Sequence, residues 1–143
     1  MDALDLTQGP PRGPRVLLPN LNLVLMARTV DKLRATLPGG NLGEYQMRGF
    51  SSHLLKKLSI EEQAFREIVA RAESDDDVAS WVRENSDPSQ YDAINAEYEA
   101  LKIADLLDNA EWMARYPIAK TLPPEMKRLD MLVLDDVDLF KPK

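Results

Sequence analysis

The sequence predicts an all-α fold, a single-domain bundle of six or seven helices with an extended, proline-rich N-terminal arm. Apolar residues recur at three- and four-residue steps through most of the chain, the period of one helix face. Helix-start signals stand in front of several of those stretches. Four of the ten prolines and two glycines fall within residues 7–19, where fixed proline φ and missing N–H groups exclude a regular helix. Residues 1–21 therefore read as arm, 22–134 as helical core and 135–143 as a solvated acidic tail.

The first helix is expected over 22–37, with Leu23, Met26, Val30, Leu33 and Leu37 on its packing face. Gly39-Gly40 supplies the positive-φ positions that end a helix at little steric cost. Residues 41–49 read as a loop with a short extended piece at 45–47, and Ser51 or Ser52 caps a short helix through Leu58. Ser59-Ile60-Glu61-Glu62 has the pattern of a capping box, opening a helix to Ala72 with Ile60, Ala64 and Ile68 facing inward alongside Phe65 and Val69. Ser74 ahead of Asp75-Asp76-Asp77 caps another, since carboxylates in a first turn oppose the helix dipole favourably. That helix buries Val78, Trp81 and Val82 and stops near Asn85.

Asp87-Pro88-Ser89-Gln90 places an N-cap before a proline at the first helical position. It opens the longest helix, 88–107, whose C-terminal half is expected to be central. Asp108 with Glu111 starts a sixth helix that Pro117 stops. Pro123-Pro124 begins a last one to Leu134. The apolar run Met131-Leu132-Val133-Leu134 also suits a strand, and helix is preferred because nothing nearby offers a partner strand.

A chain of 143 residues can bury about 68–70% of its unfolded surface. Its 44% hydrophobic and 29% charged residues are those of a soluble globule rather than a disordered chain. The absence of Cys excludes disulfides, thiolate catalysis and the usual zinc finger, and fits a reducing cytoplasm. The start, MDALDLTQGPP, lacks the basic and apolar regions of a secretory signal. No apolar stretch approaches the roughly 20 residues needed to cross a bilayer. The expectation is a cytoplasmic protein with no membrane contact.

The net charge of −6 is unevenly spread. Residues 1–58 hold 8 Lys/Arg and 4 Asp/Glu, a net +4, and residues 59–143 hold 10 and 20, a net −10. Mutual attraction of the halves, within a chain or across a dimer, accounts for such a split better than nucleic acid does. Duplex binding calls for a denser basic stripe and a high pI, and the pI here is about 4.8. The arm's Pro11-Arg12-Gly13-Pro14 is a PxxP pattern of the kind SH3-like domains read. The plainer reading has the arm lie on the protein's own surface with Arg12 and Arg15 paired to the acidic half.

Candidate chemistry is sparse. His53 is the one histidine, which excludes a two-histidine metal motif, and no G-x-S-x-G elbow exists for a nucleophilic serine. Asp75–Asp77 and Asp135-Asp136-Val137-Asp138 lack the glycine and terminal glutamate of a calcium loop. Gly39-Gly40-Asn41-Leu42-Gly43 lacks the Gly-Lys-Ser/Thr of a phosphate loop. No catalytic residue, metal ligand or cofactor-binding residue is assigned, and no cofactor is expected. Six residues remain as a ligand-binding cluster: Arg28, Asp31, Lys32, Arg34, Glu44 and Tyr45. At helical spacing Asp31 neighbours both Arg28 and Arg34, and guanidiniums oriented by a carboxylate grip phosphate or carboxylate ligands bidentately. The same residues would equally serve as an ion-pair strap tying the first helix to its loop and to the acidic half.

Asp5-Leu6-Thr7, Pro10-Pro11-Arg12-Gly13-Pro14-Arg15, the run Met26-Ala27-Arg28-Thr29-Val30-Asp31-Lys32-Leu33-Arg34-Ala35, and Gly43-Glu44-Tyr45 together resemble the bacterial domain-of-unknown-function family numbered 5069. Ser74-Asp75-Asp76-Asp77-Val78-Ala79-Ser80-Trp81-Val82 resembles its later Val-x-x-Trp segment, so the likeness spans roughly residues 5–85. It implies a small helical bacterial protein and supplies no activity. The leading expectation is a helical binding or interaction protein without catalysis of its own, using the basic side of the first helix and the arm, with a protein partner or a second copy. The alternative is a small enzyme or ligand-binding protein for an anionic metabolite, with Glu44 and Tyr45 in acid/base or orienting roles. Nucleic-acid binding comes last.

Overall fold

Of the five residues expected on the packing face of the first helix, Leu23, Met26, Val30 and Leu33 lie at 0–1% exposure and Leu37 at 8%. The chain around them is helical, as expected. The structure is a computed structural model that describes residues 1–142. Its α-helices are α1 (Met26–Ala35), α2 (Phe50–Lys57), α3 (Glu62–Arg71), α4 (Asp75–Glu84), α5 (Tyr91–Ala100), α6 (Ala110–Arg115) and α7 (Arg128–Leu139). Among the described residues the β-bridges, Asp5 with Asn41 and Lys102 with Lys127, are isolated. No described helix is long and apolar enough to cross a membrane. The chain falls into two compact units, Met1–Ile94 and a second that begins at Asn95.

In the first unit α1 packs against α2 and α3, and α3 against α4. Every residue of α1 except Arg34 is buried, so α1 is the central element of this unit. The helix is shorter than the expected 22–37. Leu25 sits in the left-handed region at φ 68, and its N–H donates to the carbonyl of Pro14 in the arm at 2.7 Å. A left-handed leucine is uncommon, and that bond keeps residues 22–25 out of the helix. The Leu25 carbonyl then accepts from both the N–H and the hydroxyl of Thr29, at 2.9 and 2.8 Å. The Thr29 hydroxyl in turn lies 3.0 Å from that of buried Ser51 on α2. After Ala35 the chain folds so tightly that a Cβ on Gly40 would stand 2.6 Å from the Ala35 carbonyl oxygen.

Several expected helix starts are replaced. Ser59 is not an N-cap. It has φ 57 and ends α2, its N–H donating to the Lys56 carbonyl while that of Ile60 donates to Leu55, the hydrogen-bond pattern of a Schellman motif. Serine thus stands where glycine is usual, and α3 starts only at Glu62, with its buried stripe on Phe65 and Val69 rather than Ala64 and Ile68. Trp81 of α4 stacks on Phe65 with ring centroids 5.7 Å apart. Ser74 makes no side-chain cap; Asp77 instead accepts the N–H of Glu73 at 2.9 Å. The Asp87 cap forms as expected. Its carboxylate accepts from the Ser89 hydroxyl and N–H, and these bonds hold it below its ordinary pKa.

The expected helix 88–107 is interrupted. A 3₁₀ turn at Pro88–Gln90 precedes α5, which ends at Ala100. The reason is a competing partner: Ile103 and Ala104 donate to the carbonyls of Met126 and Pro124, and Arg128 to that of Leu101. Asn109, not Asp108, caps α6, accepting from the Trp112 N–H at 3.0 Å. The expected solvated tail from residue 135 is also corrected. Asp135 and Asp136 belong to α7 and are 8% and 6% exposed. Lys143, the last residue assigned to that tail, lies outside the described residues.

The turn at Ser59 yields a first prediction. Ser59→Gly relieves a left-handed non-glycine residue whose side chain is exposed, and should stabilise the protein by about 1 kcal/mol. Gly40→Ala should destabilise it, because the atoms in the way belong to backbone. Urea unfolding of the two variants beside the wild type checks both signs.

Candidate functional site

Five of the six residues singled out come together on and around α1, and a residue outside that set organises them. Arg12, in the arm, lies between Asp31 on α1 and Asp75 at the first turn of α4. Its Nε and Nη2 donate to Asp31 at 3.0–3.2 Å, and its backbone N–H adds a bond of 2.8 Å to the same carboxylate. Nη1 and Nη2 reach Asp75 at 2.7 and 3.1 Å. The Asp31 side chain is only 5% exposed, so its charge is matched by a bidentate guanidinium, the arrangement that best offsets desolvation. Burial disfavours the Arg12 cation, but the two carboxylates outweigh it and hold the proton more tightly than usual.

The other cations divide into two kinds. Arg34 is 3.7 Å from Asp31, the pair expected at that spacing, and its Nε donates to the Asp2 carbonyl at 2.9 Å. Arg28 and Lys32 are 3% and 6% exposed. The Arg28 guanidinium lies 5.5 Å from the Tyr45 ring centroid and the Lys32 ammonium 6.0 Å, within reach of a cation–π attraction. Arg28 also donates to the Arg12 carbonyl at 3.3 Å. Tyr45 is itself buried, packed with Leu6 and Ala35, because the Asp5–Asn41 bridge folds the arm's first residues onto the loop that carries it. Glu44 stands apart from this layer on the exposed turn.

The basic side of α1 is therefore largely interior. The expectation that Arg12 pairs with the acidic half is met by Asp75. Its closer partner, Asp31, belongs to the basic half, and only the tertiary path of the arm brings the two together. The two acidic runs take structural places: Asp75 binds Arg12, Asp77 meets the Glu73 N–H, and Asp135 and Asp136 are buried on α7. His53 is exposed on α2. A pocket of about 370 Å³ in the same unit is lined by Lys57, Leu58, Ser59, Asn85, Ser86, Asp87, Gln90 and Ile94, none of them in the cluster.

A family model described as Domain of unknown function (DUF5069) matches residues 8–136. A search of the curated proteins finds no match.

Removing Arg12 leaves the buried Asp31 without its main partner, a change of the kind that costs roughly 3–5 kcal/mol. Arg12→Ala should therefore destabilise the protein by about 3 kcal/mol, the low end of that range, because Arg12 and Asp75 are 29% and 30% exposed. Glu44→Ala should stay within about 0.5 kcal/mol. Arg12→Met combined with Asp31→Leu should cost less than the two single changes added together, as read in a double-mutant cycle of chemical denaturation.

Proposed function

We propose that this chain, which belongs to the Domain of unknown function (DUF5069) family, is a small helical interaction protein of the bacterial cytoplasm without catalysis of its own. The observation that carries the reading is where its reactive side chains are spent. Arg12 and Arg34 engage Asp31, with Arg12 reaching on to Asp75. Arg28 and Lys32 are buried over Tyr45. Glu44 faces solvent outside that layer, where it holds no proton-transfer geometry with the cations. Such a layer fastens the arm to α1 and α4, which supports the strap over the clamp. The partner surface must then lie elsewhere, and the exposed apolar side chains of the chain point to it.

The competing reading, an anionic metabolite held by Arg28, Lys32 and Arg34, draws its support from two cations gathered on one tyrosine. An anion reaching them would have to displace the Arg12 carbonyl from Arg28, and so loosen the arm.

A thermal-shift screen with phosphate, nucleotides and di- and tricarboxylates separates the two. A ligand at 100 times its Kd stabilises the folded state by about 2.7 kcal/mol, a rise of several degrees in Tm. The expected result is no such rise. A rise abolished by Arg34→Ala would establish the metabolite site. One retained in that variant would direct attention to the pocket beside Ser59, and either would overturn the proposal.

A further inference from the structure

The polar side chains around the pocket beside Ser59 divide into two kinds. Asn85 and Ser86 are spent on the end of α4, donating to the carbonyls of Trp81 and Val82. Lys57 already has a partner within the protein. Asp87, Ser59 and Gln90 keep hydrogen-bonding capacity. Ser89 occupies only Oδ1 of Asp87, and among the described residues nothing donates to its other oxygen. The Ser59 hydroxyl and the Gln90 side-chain amide likewise have no partner among those residues. Leu58 and Ile94, 6% and 7% exposed, complete the lining of a space of about 370 Å³, a size that small-molecule sites have.

The pocket favours positive charge. Helices α2 and α4 both end at it, since their C-caps, Leu58 and Asn85, are lining residues, and the carbonyl end of a helix is its negative pole. The Ser89 bonds hold Asp87 below its ordinary pKa, so it stays ionised at neutral pH. An anion would find only Lys57, already engaged, against a carboxylate and two carbonyl ends. A carboxylate oxygen, a hydroxyl and an amide carbonyl each accept a hydrogen bond, and a primary ammonium has three to donate.

We infer that this pocket binds a primary amine on a short aliphatic stem, its ammonium held by Asp87, Ser59 and Gln90 and its stem laid on Leu58 and Ile94. The amine comes either free or as the lysine side chain of a partner, and the chemistry recognised is the same. The site goes beyond the interaction reading and does not depend on it.

Amide proton–nitrogen NMR of the full chain, titrated with n-butylamine at neutral pH, tests this. Butylammonium should move the amide signals of Ser59, Asn85, Asp87 and Gln90, with a Kd on the order of millimolar. The uncharged n-butanol should not. Asp87→Asn keeps the cap, because asparagine caps a turn as well as aspartate does, and should weaken binding about tenfold. Ser59→Gly removes one acceptor at a turn that glycine favours, and should weaken it about threefold. Nα-acetyl-lysine methylamide separates the sources. Binding at least as tight as that of butylamine assigns the site to a partner's lysine, and exclusion while butylamine binds assigns it to a free amine. Butylamine that leaves these signals in place, butanol that moves them equally, or binding that neither variant weakens overturns the site. These probes are cations, absent from the anion screen above, so the two readings fail separately.

Discussion

The Arg12 guanidinium links three parts of the first unit that the chain brings in at different times. Asp31 is on a helix buried on nearly every side, and a carboxylate there loses most of its hydration. Left alone, it would cost several kcal/mol. The bidentate guanidinium and the Arg12 N–H supply donors to both of its oxygens. The remaining N–H groups of Arg12 turn to Asp75, whose place at the start of α4 is already favourable for a negative charge. Two residues further on, the Pro14 carbonyl takes the N–H of Leu25 and so sets where α1 begins. Buried Pro11 and Pro14 restrict the arm before it docks, which lowers the entropy lost on ordering it.

How much of this was legible in the sequence depends on the range of the interaction. Periodicity identifies Met26, Val30 and Leu33 of α1 because a packing stripe is a local pattern. The Asp87 cap was legible for the same reason, its donor lying two residues away. Errors begin where a distant segment decides. Nothing near Leu25 announces a left-handed residue, because what holds it is a carbonyl eleven positions upstream. Ser59-Ile60-Glu61-Glu62 does match a capping box, but the αL position that ends α2 claimed the serine first. Residues 101–107 have helical composition, yet their N–H groups and carbonyls find partners in 124–128, a competition local propensity cannot register.

The candidate site follows the same division. Arg28, Asp31, Lys32 and Arg34 were identifiable by spacing, and the Asp31–Arg34 pair is the local one expected. Their burial was not identifiable, because an amphipathic pattern distinguishes an apolar side from a polar one without revealing whether the polar side is wet. Here the arm and the Tyr45 loop cover it, and a ring beneath two cations replaces part of their lost hydration. The charge split across residue 58 pointed the strap toward the acidic half. Arg12–Asp75 fulfils that, while the stronger anchor comes from within the basic half.

A polar layer of this kind bears directly on how the protein could act. Charges at a working ligand site must be able to exchange partners, and exchange is slow and costly where each partner also holds a segment in place. Releasing Arg12 would give up its bonds to two carboxylates and expose the arm's contacts with α1, a far larger disturbance than a rim residue changing rotamer.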